Sequence, residues 1–218
     1  DDSVQIGTRN IKVALRRLRK FAREGSADHL DLEDTIRSTA KNAGMLDIKM
    51  VPERRNAVKV LIFFDVGGSM DPYVKLCEEL FSAAKTEFKH LEYFYFHNCL
   101  YDYVWKDNHR RREEQLSTHD LIHKYAADYK VIFVGDASMA PYEVTSPGGS
   151  VEYNDEEAGA VLMQRMTETY DKLVWLNPVQ EKYWDYTPSI TMLKELTEDK
   201  MFPLTLGGLE KAMALLSR

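Results

Sequence analysis

The 218 residues predict an α/β fold: a doubly wound, mostly parallel sheet with one short antiparallel edge strand, helices on both faces, and a helical segment in front. Three observations carry that expectation. From Val58 onward, short apolar runs alternate with amphipathic stretches long enough to be crossover helices. Runs 58–64 and 130–134 are apolar almost throughout, as strands covered on both faces require. Run 101–105 follows run 91–96 after a connection too short for a crossover helix, so it must pair antiparallel, at an edge.

The elements follow in order. Ile11, Ala14, Leu15, Leu18, Phe21 and Ala22 form one apolar stripe at helical spacing, and Gly25 ends that helix. Its other face carries Arg9, Lys12, Arg16, Arg17, Arg19, Lys20 and Arg23, either a solvated face or a docking surface. A second helix spans 32–42, capped by Asp31 and closed by Gly44. After strand 58–64, Cys77, Leu80, Phe81, Ala84 and Phe88 are the inward stripe of a helix over 72–89, with Pro72 in its first turn. Strands 91–96 and 101–105 come next, then a polar stretch 106–115. Thr118 and Asp120 open a helix over 121–127, ahead of strand 130–134. The segment 140–154, with Pro141, Pro147, Gly148 and Gly149, has the length of a lid or contact loop. Helix 156–170, strand 172–176, helix 189–197, a short run 201–204 and helix 209–216 complete the unit. Two parts are expected: a basic helical amino-terminal segment, 1–56, and an α/β domain, 57–218.

A hydrophobic fraction of 44% and a charged fraction of 29% are those of an ordinary globular chain with a core large enough to dispense with disulfides. Cys77 and Cys99 make no framework and read as reduced thiols, which points to the cytoplasm. No run approaches the length of apolar residues that a membrane span needs. The start at Asp1 is neither a signal peptide nor an initiator methionine, so a further upstream part is expected. The net charge of −6 is unevenly placed: residues 1–59 carry +4 and the remainder −10. The basic segment therefore suits its own acidic domain or an acidic partner, and nucleic acid is not expected as the main ligand.

The candidate site begins at Asp65-Val66-Gly67-Gly68-Ser69-Met70, directly after the first central strand. Strand 130–134 ends alike, in Gly135-Asp136-Ala137-Ser138. Ligands of doubly wound sheets bind at this carboxyl edge. Asp65, Ser69, Thr118 and Asp136 offer two carboxylates and two hydroxyls, a hard oxygen set suited to Mg²⁺ or Mn²⁺ with water completing the shell. Gly67 and Gly68 are expected to allow unusual backbone angles and close approach of the chain to an ion. Each residue also has a plainer reading: Asp65 and Asp136 as caps of their turns, Ser69 in a local backbone bond, and Thr118 or Ser117 as a helix cap. Ser138 lies close enough to support or replace a ligand.

Order and identity of these residues resemble the von Willebrand factor A (VWA) domain and its metal-ion-dependent adhesion site, Asp-x-Ser-x-Ser followed by a distant Thr and a distant Asp. Asp65, Ser69, Thr118 and Asp136 match; Gly67 stands where the middle Ser belongs, which implies weakened metal affinity. The resemblance implies an exposed ion that accepts a Glu or Asp carboxylate from a partner protein. Leu30 to Arg37, Asp65 to Met70 and Trp175-Leu176-Asn177-Pro178 together resemble the bacterial CoxE-like VWA proteins. That narrower resemblance implies an adaptor working beside a MoxR-type AAA+ ATPase in maturing or remodelling a client complex.

Enzyme readings find less support. A metal-dependent phosphohydrolase using Asp65 as nucleophile is the rival, but position 67 is Gly where such enzymes usually place an acid. Neither a dinucleotide-binding nor a phosphate-loop glycine string occurs, and there is no G-x-S-x-G elbow. His119 and His123 share a helix face without an evident third zinc ligand. A VWA module whose site no longer holds metal is the other alternative. The aromatic cluster from Tyr93 to Trp105 reads as sheet packing, with a contact patch as the second possibility.

Overall fold

The computed structural model describes residues 7–21, 29–30, 32–42, 45–51, 58–152 and 154–218. Expected helix signals at Ala22, Arg23, Gly25, Asp31 and Gly44 lie outside them. In chain order the elements are α1 (Thr8–Phe21), β1 (His29–Leu30), α2 (Leu32–Lys41), β2 (Met50–Val51), β3 (Lys59–Asp65), α3 (Val74–Glu87), β4 (His90–Phe96) and β5 (Tyr103–Trp105). They continue with β6 (Gln115–Ser117), α4 (Thr118–Lys124), β7 (Lys130–Val134), α5 (Pro141–Thr145), α6 (Gly159–Thr169), β8 (Leu173–Asn177), α7 (Pro188–Leu196), β9 (Met201–Pro203) and α8 (Leu206–Leu216).

Seven strands form the main sheet in the order β6-β5-β4-β3-β7-β8-β9. β3, β4, β7, β8 and β9 are parallel, and β5 turns back antiparallel to β4, as its short connection requires. The expected edge strand is extended by β6, which pairs antiparallel with β5 and becomes the edge itself. Strands β3 and β7 occupy the centre, where both faces are dry.

Alternation along the strands divides the core in two. Leu61, Phe63, Phe133 and Trp175 face helices α4, α6 and α7, while Val60, Ile62, Phe64, Ile132 and Val134 face α1, α3 and α8. Across the first layer runs an aromatic ladder. Phe94, Phe63, Phe133 and Trp175 stand in register on four neighbouring strands. Ring centroids are 5.9, 4.7 and 5.3 Å apart in that order, all in stacked geometry. Each such pair contributes about 0.5–1.5 kcal/mol beyond its buried area.

The apolar stripe of α1 is used inside the α/β unit. Ile11, Ala14, Leu15 and Leu18 are fully buried in the second layer. Part of the basic face meets acids of the same unit: Arg16 Nε donates to the buried Glu87 at 2.9 Å and Arg17 pairs with Glu210 at 3.1 Å. The +4 segment is thus bound in part to its own −10 body. Among the described residues no helix is long and apolar enough to cross a membrane.

The aromatic cluster mostly serves packing. Phe94, Phe96, Tyr101 and Trp105 are buried, and Tyr93 meets Phe81 edge-on at 4.8 Å.

Candidate metal centre

Asp65 is the last residue of β3, and it is only 4% exposed. Its Oδ1 accepts two backbone N–H bonds, from Gly67 and from Asn98, each 2.8 Å. Its Oδ2 is buried and has no hydrogen-bond partner. A buried, unpaired carboxylate oxygen is costly and calls for an explanation. Burial is the main cause that pushes the Asp65 carboxyl up to about 7; the two N–H bonds pull the other way, and the nearby Asp136 and Glu143 raise it further.

Asp136 follows β7, the parallel neighbour of β3, and is also buried. Its Oδ1 accepts from Ser138 N at 3.0 Å, and the Ser69 hydroxyl lies near enough to lower its pKa. Burial raises its pKa, offset in part by the Ser138 N–H bond and the neighbouring Ser69 hydroxyl. Ser69 itself is exposed. Asp65, Ser69 and Asp136 therefore gather at the carboxyl edge of the two central strands, and the pair of raised carboxyls marks a place short of positive charge.

The loop carrying Asp136 is fixed at three successive carbonyls. Gly135 O accepts from Trp175 Nε1 at 2.8 Å, Asp136 O from Asn177 Nδ2 at 2.9 Å, and Ala137 O from Ser189 Oγ at 2.8 Å. Ala137 sits at φ 56°, a conformation a non-glycine residue holds only when its surroundings enforce it. Trp175 and Asn177 thus hold the Asp136 turn from the adjacent strand, which gives the Trp-Leu-Asn-Pro segment a physical role.

Gly135 matters for space. A Cβ there would come within 2.9 Å of Asp65 Cβ and 3.2 Å of both Asp65 Oδ2 and the Trp175 ring. Gly135→Ala is expected to push the Asp65 side chain out of place and cost about 1–3 kcal/mol of stability as overpacking. Urea unfolding measures the loss.

Gly67 departs from expectation in its reason. Its backbone is ordinary, with φ −58° and ψ 151°, and the only described glycine at positive φ is Gly148. A Cβ at 67 would instead lie 2.2 Å from Asn98 Oδ1. Space, and not backbone freedom, requires glycine there.

Thr118 lines a different depression. It is buried at the start of α4, and its hydroxyl donates to the Tyr101 carbonyl. It borders a depression with Asp102, Asn154 and Arg165, distinct from the cleft of about 290 Å³ beside Asp65. Ser117, not Thr118, caps α4, accepting from Asp120 N at 3.0 Å.

Sequence reasoning missed Asn98, Glu143 and Ser189, and had Asn177 only as part of the Trp-Leu-Asn-Pro segment. Glu143 is buried; its Oε1 accepts from Ala140 N at 3.1 Å and its Oε2 from Asn98 Nδ2 at 2.8 Å. Pro141 followed by an acid two residues on was the one available signal, that of a helix start.

The oxygen set fits a hard divalent cation: two carboxylates, one with an unpaired buried oxygen, and an exposed hydroxyl. Among the described residues no group of three His, Cys, Asp or Glu side chains is placed to hold a metal, so neutral oxygens must complete the site. Cys77 and Cys99 are free, and burial pushes both thiols up to about 12, which makes them poor nucleophiles. The His119 and His123 rings lie 4.4 Å apart.

The metal-free protein has a predicted pH response. Folded Asp65 keeps its proton up to about pH 7. The unfolded chain releases it near pH 4. The folded state thus holds more protons across that window, and stability falls as pH rises through it, by up to roughly 4 kcal/mol from this group. Urea unfolding in EDTA between pH 5 and 8, with Asp65→Asn as the reference that removes this slope, measures it.

No curated protein matches the chain, and no solved structure does. The family model described as "VWA domain containing CoxE-like protein" matches residues 5–104, from α1 through the Asp65 turn to β5. That match covers under half of the chain; together with a mostly parallel sheet that carries Asp65 and Asp136 at the carboxyl ends of its central strands, it supports a VWA-like α/β fold and a likeness to CoxE-like proteins.

Proposed function

We propose that this chain is a metal-ion-dependent protein-binding adaptor that acts in the cytoplasm with a MoxR-type AAA+ ATPase in maturing or remodelling a client complex. The observation that carries the reading is the unpaired, buried Asp65 Oδ2 beside Asp136. Asp65 and Asp136 would supply the charge that holds Mg²⁺ or Mn²⁺, and Ser69 a neutral oxygen. A bound ion supplies an electrophilic position open to a Glu or Asp carboxylate of a partner protein. Donating to the Tyr101 carbonyl leaves the Thr118 oxygen its lone pairs, so that bond does not by itself keep it from an ion.

The chain's own contribution is rigidity and access. Bonds from Gly67 and Asn98 orient Asp65, and Trp175, Asn177 and Ser189 fix the Asp136 turn before anything binds. Such preorganisation lowers the cost of association. The rim is suited to protein contact. Tyr142, Tyr183 and Tyr186 are more than half exposed on segments that leave the carboxyl ends of β7 and β8, and exposed tyrosines are frequent interface anchors.

Calorimetric titration with Mn²⁺ tests the ion, and co-purification from lysate in magnesium or in EDTA tests the partner. Saturable Mn²⁺ binding, with an AAA+ ATPase retained in magnesium and released by EDTA, is expected. Retention of that ATPase unchanged in EDTA and by Asp65→Ala would rule out the ion's role in the contact.

A further inference from the structure

We infer that Asn98 supplies the neutral oxygen that Gly67 lacks, so that its carboxamide Oδ1 completes the metal site in place of a hydroxyl at position 67. The inference deepens the metal-site reading above and rests on it.

Three observations converge on Asn98. The first is position: its Oδ1 fills the volume a side chain at 67 would need, 2.2 Å from the ideal Cβ position, while Asp65 Oδ1 lies 3.2 Å from that same point. The second is orientation. Asn98 Nδ2 donates to Glu143 Oε2 at 2.8 Å, which fixes the flip of the carboxamide and turns its oxygen toward Gly67. A carboxylate accepts from the NH₂ end and repels the carbonyl end, so the buried Glu143 allows one flip only. The third is rigidity. Asn98 adopts φ 60°, donates its own N–H to Asp65 Oδ1, and is followed by the fully buried Cys99 and Leu100. Asn is among the few residues other than glycine that hold this conformation readily.

The carboxamide oxygen itself accepts no hydrogen bond from a described residue. An oriented carbonyl oxygen beside a buried carboxylate with a free oxygen is a donor pair for a hard cation, since carboxamide carbonyls serve such ions as well as hydroxyls do. Gly67 and Asn98 are then one exchange: the hydroxyl is lost from one loop and a carbonyl oxygen enters from the next, and the glycine is needed to admit it.

Mn²⁺ titration calorimetry on the wild type, Gly67→Ser, Asn98→Gly and the double variant tests the exchange. Glycine at 98 keeps the positive φ and the N–H bond to Asp65, and circular dichroism checks folding. Asn98→Gly is expected to weaken Mn²⁺ binding by about 10- to 100-fold. Gly67→Ser, although it restores the serine of the family pattern, is expected to weaken binding too, because the new side chain collides with the Asn98 oxygen. The double variant should recover most of the lost affinity. Tighter binding by Gly67→Ser alone would overturn the inference, and so would unchanged affinity in Asn98→Gly when Asp65→Asn abolishes binding. If Asn98→Gly does not fold, Gly67→Ser decides by itself. Wild type that binds no Mn²⁺ overturns both this inference and the metal-site reading beneath it.

Discussion

Asp65→Asn is expected to abolish Mn²⁺ binding and, in the same protein, to raise stability without metal. Both effects come from one atom. Asp65 Oδ2 is buried with no partner, and burial with two neighbouring acids raises the carboxyl to about 7. At pH 8 the charged form is an uncompensated burden on the fold. Asparagine removes the charge while its carbonyl still accepts the N–H bonds of Gly67 and Asn98. The gain is the cost of the buried charge, less that of an amide group put in place of Oδ2. It should amount to about 1–3 kcal/mol. For a chain of this size, that raises the melting temperature by roughly 2–4 °C per kcal/mol. Scanning calorimetry in EDTA at pH 8 reads the gain, and repeating it with Mn²⁺ should stabilise the wild type only. A carboxylate retained at a stability cost is the signature of a functional residue.

The second large effect is at Trp175. Trp175→Ala should destabilise the fold by about 3–5 kcal/mol, in the range of large-to-small core changes. The indole is fully buried, ends the aromatic ladder against Phe133, and donates to Gly135 O. Its removal opens a cavity and leaves the turn before Asp136 without one of its three anchors. Trp175→Phe separates the two roles: a ring remains for the stack, but the bond to Gly135 O is lost. This milder variant should keep most of the stability and weaken Mn²⁺ affinity by about 10-fold, as loss of a supporting hydrogen bond does. Denaturant unfolding and titration of the same samples distinguish the two.

Much of the framework was legible because it obeys local rules. The run 130–134 is apolar after Lys130 and is the strand Lys130–Val134, and Asp65 and Asp136 follow central strands as their positions after apolar runs required. The stripe Ile11, Ala14, Leu15 and Leu18 is the buried face of α1. What could not be read depends on pairs distant in sequence. Asn98 reaches Asp65 across 33 residues, Asn177 reaches Asp136 across 41, and Ser189 reaches Ala137 across 52. No periodicity or spacing encodes such bonds. Strand β6 escaped notice because three residues, Gln115–Ser117, carry too little pattern to distinguish them from the polar stretch before them. Gly67 was visible as a departure, but its cause lies in a side chain on another loop.

The central claim is that oxygens from distant loops converge beside Asp65 to hold one divalent ion. Anomalous diffraction from crystals soaked in manganese tests it most directly. A single manganese peak in contact with Asp65 Oδ2 and the Asp136 carboxylate is the predicted result. Manganese absent from that position in fully soaked crystals, or bound only at remote surface carboxylates, would contradict it.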